Sequence, residues 1–373
     1  MRIHWLLFVL LMSSPFIQSS PVTSTSSPSL SSVNLGTVPR GVAVDSSSGT
    51  VYVVLYLNGT TLALDPQTFK TVSKVATPSP YAIAANSNTH RIYVSQGEGS
   101  SVAVIDGSNN SIVASVRGAG TPYALAVDET QNLVFAADTS ENSLWIVDGS
   151  ADVVVARLPM GDSSALAVDP GMREAFVANL SSDFKAGVVD VVDTNSREVV
   201  RTVPVHFPPG HFAVDTNLHL LFVTSAGAGG PVNFIALDDR TFQIAYSLHL
   251  GDSPGIVTTA SSRVYVSDPG ADRLYELDGA SGQVLLNSTG DQTKGISFAG
   301  ITGMAYNPNT GELYVTENDD TDLVVLDAGV APPSPYAGLL YPAVLVIILA
   351  VAFAVILVSR GSAKTPRVRT AES

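Results

Sequence analysis

Cysteine is absent from all 373 residues, which excludes disulfides and thiolate metal sites. Stability must therefore come from a buried apolar core, and a chain of this length has the area to build one. Basic residues are also scarce: 19 Lys and Arg stand against 33 Asp and Glu, a net charge of −14. That balance disfavours nucleic acid, and none is expected as a partner, because phosphates are held by Lys and Arg. It suits solubility in cation-rich or acidic surroundings. Helical periodicity is missing everywhere except at the two ends of the chain. An all-β reading remains.

What is present is a repeat. Tyr or Phe recurs at one place in seven hydrophobic segments, at Tyr52, Tyr93, Phe135, Phe176, Phe222, Tyr265 and Tyr314. The steps are 41, 42, 41, 46, 43 and 49 residues. Seven residues before each aromatic stands a turn former: Asp45, Asn86, Asp128, Asp169, Asp215, Thr258 and Asn307. After each aromatic, a further segment ends in Asp65, Asp106, Asp148, Asp193, Asp238, Asp278 or Asp327. A 40–50-residue period built from short strands predicts a β-propeller, one four-stranded blade per repeat. In the second repeat the strands A to D are predicted at 81–85, 91–95, 101–105 and 112–116. Asp106-Gly107, Asp148-Gly149 and Asp278-Gly279 fall between strands C and D, where the pair suits a turn with positive φ.

The best-formed repeats include Leu313-Tyr314-Val315-Thr316-Glu317-Asn318 and Ala175-Phe176-Val177-Ala178-Asn179, with Ala126-Val127-Asp128 and Ala167-Val168-Asp169 upstream of such strands. These segments resemble the YVTN-repeat family of seven-bladed propellers over residues 31–327. The resemblance implies the fold and a cell-surface or periplasmic setting. Members of that family share no single reaction, so function rests on a site.

The seventh repeat has strands A to C but no D, while residues 32–37 read as an orphan D strand. The expected fold is a seven-bladed β-propeller whose N-terminal strand closes the last blade, followed by one transmembrane helix. The expected divisions are a signal peptide (1–20), a Ser/Thr/Pro-rich linker (21–30), the propeller (31–327), a Pro-rich linker (328–336), a transmembrane helix (337–358) and a basic cytoplasmic tail (359–373). The 337–358 run has no charge, and at about 1.5 Å per residue it spans a core of about 30 Å. Arg360, Lys364, Arg367 and Arg369 follow it, which predicts a single-pass type I protein with a monomeric propeller outside. The B–C and D–A loops then face away from the membrane. The longer passages, around 181–185, 226–231 and 291–300, are expected to cluster on that outer face as a binding side.

Chemical motifs are sparse. Gly251-Asp252-Ser253-Pro254-Gly255 matches G-x-S-x-G, but a strand follows where the nucleophile motif needs a helix. Gly227 to Gly230 reads as a flexible loop. Asp319, Asp320 and Asp322 form an acidic loop with oxygen ligands for Ca²⁺, without the remaining features of an EF-hand. Arg40, Tyr81, Tyr123 and His211 hold equivalent places at the starts of A strands, which predicts a channel-mouth site. Phe184, Lys185 and Lys294 are the candidate contact residues on the longer loops. No catalytic residue and no cofactor is expected. The leading reading is a noncatalytic binding or adhesion module for a surface protein or glycan. The alternatives are an exported propeller enzyme of lactonase or lyase type, and a structural envelope component.

Overall fold

Short strands rich in Val, Ile and Ala form seven four-stranded antiparallel sheets in the computed structural model. The structure describes residues 29–328, apart from 98, 119, 121, 162–164, 181–184, 228–229, 292 and 294–295. Blades 1 to 6 are residues 41–76, 80–117, 122–159, 166–205, 209–248 and 257–289. Blade 7 joins residues 301–327 to a strand from the N-terminal side of the ring. Strand boundaries in blade 2 lie within one residue of the expected ones: Pro80–Asn86, Arg91–Gln96, Ser101–Asp106 and Ser111–Arg117.

The repeated aromatic is the wedge of each seam. All seven have no exposed surface. Tyr52 packs with Ile92 and Val94 of the next blade, Phe176 with Leu221 and Val223, and Tyr314 with Val51 and Val53 across the closure. The B strands are covered on both faces by neighbouring blades, so they read as unbroken hydrophobic runs such as Val51–Leu55 rather than alternating ones. The outermost D strands leave Val72, Ile112, Val153, Val200 and Leu285 in solvent.

Closure uses the strand Leu30–Asn34, paired antiparallel with Asp322–Asp327 in the register Leu30↔Leu326 to Asn34↔Asp322. The strand lies nearer the N-terminus than the expected 32–37, because Leu35 to Thr37 form the connection. Leu35 N–H donates to the Thr321 carbonyl, and Gly36 turns the chain at φ +77.

Twelve of the turns obey one rule. The Asp or Asn that ends an A or C strand caps the following backbone N–H groups, and the residue four places on is left-handed. Asp106 accepts from Ser108 N–H, and Asn110 has φ 57. Thr258 departs from the expectation: it lies within strand Val257–Ala260, and that hairpin turns at Ser261 instead. The Asp-Gly pairs also act differently than expected. The left-handed residues of their turns are Asn110, Asp152 and Gly282 rather than Gly107, Gly149 and Gly279. Those glycines are needed for close approach. A Cβ on Gly107 would stand 3.0 Å from the Tyr52 hydroxyl, and one on Gly149 2.6 Å from that of Tyr93.

No helix among the described residues is long and apolar enough to cross a membrane. Residues 337–358, like the expected leader and tail, lie outside the described residues.

Candidate functional site

The A strands line the central channel because each enters its blade nearest the axis. At the D–A end the channel widens into a cavity of about 470 Å³ whose wall includes Arg40, Tyr81, Tyr123 and His211. All four expected channel-mouth residues therefore border one space. Arg40, Tyr81 and Tyr123 stand on consecutive blades and His211 on blade 5. The Arg40 guanidinium lies 3.5 Å from the centre of the Tyr81 ring and 5.5 Å from that of Tyr56. Tyr81 meets Tyr123 edge-to-face at 4.5 Å and Tyr56 at 6.4 Å. Such cation–π contacts hold a cation by the electron-rich ring face. Tyr56 had no sequence signal beyond being an aromatic two residues before Asn58, since it stands in a B–C connection rather than in any repeat column.

His211 is half-buried in the channel wall. Burial pushes its imidazole down to about 4, so the ring is neutral at pH 7. No carboxylate is among the described residues lining this cavity.

A second, larger concavity of about 770 Å³ follows the outer part of the seam between blades 4 and 5. Val203, Val205 and Phe207 form one wall, Ile235, Leu237 and Phe242 the other. Lys185 stands at its rim, as do Gly227, Gly230 and Pro231. The B–C passages of blades 4 and 5, both longer than in other repeats, thus border one apolar groove. Its volume falls in the range of about 300–1,000 Å³ common for ligand sites. Phe184 and Lys294 lie outside the described residues.

The third long passage does not join them. Ile296 and Phe298 are buried at 2% and 0% exposure, in a core with Tyr265, Leu274 and Leu313. Asp272 holds the segment by accepting from Phe298 N–H and the Ser297 hydroxyl. The extra length fills the seam between blades 6 and 7. Its two apolar residues, spaced by one, are the mark of a buried segment.

Gly251 to Gly255 links the strands Ile244–Leu248 and Val257–Ala260, and its Asp252 and Ser253 N–H groups donate to Asp268. No helix follows Ser253, so the nucleophile geometry is absent. In the acidic loop, Asp322 accepts from Asn34 of the closing strand at 2.7 Å and Asp320 from Thr321 N–H. Asp319, Asp320 and Asp322 are not part of a cluster of metal-ligand atoms. The one such cluster among the described residues is Asp169, His219 and Asp239, on the opposite face.

The molecule is a seven-bladed β-propeller. No protein-family model and no curated protein matches the sequence, so the likeness to the YVTN-repeat family remains one of repeats. Among solved structures, the chain is similar to Kuenenia stuttgartiensis hydrazine synthase, with TM-score 0.66 and 14% identity over 83% of this chain and 98% of that one. It is also similar to the Cps50 (Swd1) β-propeller domain of Myceliophteria thermophila, with TM-score 0.65 and 12% identity over 80% and 99%. At such identities the likeness is one of fold.

Proposed function

We propose that the protein is a noncatalytic binding module, anchored in a membrane by residues 337–358, with its propeller outside the cell and the B–C and D–A loops turned outward. The observation that carries this reading is the groove between blades 4 and 5, where two lengthened loops border one apolar concavity. Insertions on one face of a repeat protein commonly form its binding side. A groove walled by Val203, Val205, Phe207, Ile235 and Leu237 suits an apolar segment of a surface protein or the apolar face of a glycan. The chain leaves the ring at Ala328, on the face of the A–B and C–D turns. An anchor a few residues later therefore presents the opposite face outward.

The test is a thermal-shift screen of the full-length protein against glycans, apolar-rich peptides and envelope extracts. It is run beside a variant whose 226–231 loop is shortened by three residues. Ligands that raise the melting temperature of the native chain are expected to lose that effect on the variant. Equal shifts on both proteins would refute the groove as the binding side.

The lactonase or lyase reading has one observation in its favour, the presence of His211 and Arg40 in the channel mouth. Against it, a histidine held at about 4 is a weak base at neutral pH, and no carboxylate faces it in the cavity.

A further inference from the structure

On the face of the A–B and C–D turns, the seam between blades 4 and 5 repeats the arrangement of the seam between blades 1 and 2 with two changes. Between blades 1 and 2, His90 Nδ1 meets Asp45 Oδ2 at 2.7 Å. Gly107 supplies the third corner, and its lack of a side chain leaves room for the Tyr52 hydroxyl. Between blades 4 and 5, Asp169 and His219 hold the places of Asp45 and His90. The glycine is replaced by Asp239, and Phe176, in the place of Tyr52, carries no hydroxyl. A second carboxylate occupies the space that the Tyr52 phenol fills between blades 1 and 2.

The result is a compact donor set. The ligand atoms of Asp169, His219 and Asp239 all lie within 4.8 Å of one another. Asp169 and Asp239 are exposed by 1% and 0%. Asp169 Oδ1 is fixed by Gly171 and Met172 N–H groups at 2.7 and 3.0 Å, which aims Oδ2 into the seam. Asp239 is set by its own N–H, donated to the His219 carbonyl at 3.1 Å. Yet no donor of the protein hydrogen-bonds to Asp169 Oδ2 or to either oxygen of Asp239, and His219 Nδ1 is likewise without a hydrogen bond. That nitrogen stands 3.5 Å from Asp239 Oδ1, well beyond the 2.7 Å of the His90 pair. No Lys or Arg among the described residues pairs with either carboxylate. Buried carboxylates without donors are costly unless a cation or a proton compensates them.

We infer that Asp169, His219 and Asp239 form a site for one divalent transition-metal ion of the Mn²⁺ to Zn²⁺ class, bridging blades 4 and 5. One imidazole and two carboxylates match that class, whereas Ca²⁺ takes six to eight oxygens. The His219 side chain is 35% exposed, which gives the ion a path from solvent and leaves coordination positions for water. The ion ties together the two blades that border the apolar groove.

Calorimetric titration of the full-length protein with MnCl₂, ZnCl₂ and CaCl₂ tests the site, with melting curves alongside. Mn²⁺ or Zn²⁺ is expected to bind at one equivalent, at least tenfold more tightly than Ca²⁺. At a hundredfold excess over Kd it should raise the melting temperature by about 5 °C. Asp239→Asn keeps the side-chain volume, and His219→Asn suits the left-handed backbone. Both should abolish binding, while His90→Asn at the equivalent seam should leave it intact. The inference fails if the native protein binds neither ion and Asp239→Asn is simply more stable, which would mean the carboxylates share a proton. It fails equally if the ion binds Asp239→Asn as well as native protein, or if Ca²⁺ is preferred.

Discussion

Glu317 closes the B strand of blade 7 beside the acidic loop, 2% exposed and with Oε1 lacking a hydrogen-bond partner. Burial first, then the charges of Asp320, Asp272, Asp319 and Asp322, push its carboxyl up to about 8. The folded protein thus keeps a proton that the unfolded chain releases above its ordinary range near 4.5. The stabilising contribution of that proton is complete below about pH 4.5 and is lost as pH rises through 8. Glu317→Gln imitates the protonated form. It should melt with the native protein at pH 5 and above it at pH 9, and melting curves that stay parallel across that range would contradict the assignment. His211 acts in the opposite sense: its lowered value means that acid favours the unfolded chain between about 6.5 and 4. At this scale the sequence was readable where a residue repeats. The aromatic column marked every seam, and the A-strand starts led to Arg40, Tyr81, Tyr123 and His211. Asp239 escaped notice although its signal was visible: Asp238-Asp239 stands where three other repeats have Asp-Gly. Its meaning depended on Phe176 and His219, 63 and 20 residues away in sequence, and only the packing of adjacent blades brings those together.

Among the strands, the C–D pairs carry an informative irregularity. Each D strand reached by a C–D turn shows a register shift, for example between Val104 and Ile105 or between Val191 and Val192. The pairing of Leu30–Asn34 with Asp322–Asp327 has none. The left-handed residue that ends a C–D turn leads into the bulge, and the strand arriving from the N-terminal side has no such turn. Bulges twist an exposed outer edge and discourage edge-to-edge association. The closing strand lacks that protection, but Asn34 compensates in part by donating to Thr321 and Asp322 at 2.7 Å each. Removing residues 29–34 should expose the outer edge of Asp322–Asp327, and light scattering should then show aggregates in place of a monomer. A truncated protein that remained monomeric with unchanged melting would disprove the role given to this strand. Element order and most strand ends were readable because Asp-led turns punctuate them. The placement of the closing strand was not, since Leu35 and Val33 look alike until Gly36 is seen to turn the chain.

For the molecule as a whole, the charge is concentrated on the ring, where residues 29–328 hold 32 acidic against 14 basic residues. The turn aspartates bear much of this charge at tolerable cost, because Asp65 and Asp278 are held low chiefly by the hydroxyls of Thr68 and Ser281, and Asp193 and Asp238 by the N–H groups of Ser196 and Thr241. Mutual repulsion remains and is screened by salt, with a Debye length of about 10 Å at 0.1 M and about 3 Å at 1 M. The melting temperature should rise as NaCl goes from 10 mM to 500 mM, and a flat or falling profile would show that repulsion is not a significant term. The groove between blades 4 and 5 belongs to this scale too. Loop lengths announced that those two repeats differ, but the apolar walls come from D-strand and C-strand residues that belong to the core joining the two blades and look like it in the sequence.

The way the ring is fastened has a mechanical corollary. The last strand, Asp322–Asp327, is gripped on one flank by Glu312–Glu317 and on the other by Leu30–Asn34. Just beyond it, Ala328 donates its N–H to Gly311 and accepts the Tyr265 hydroxyl at 2.8 Å from the neighbouring blade. Tension arriving along the polypeptide at residue 328 is thus shared by two hydrogen-bond ladders and a cross-blade latch, so that pulling loads the ring in shear instead of unzipping an outer strand one bond at a time.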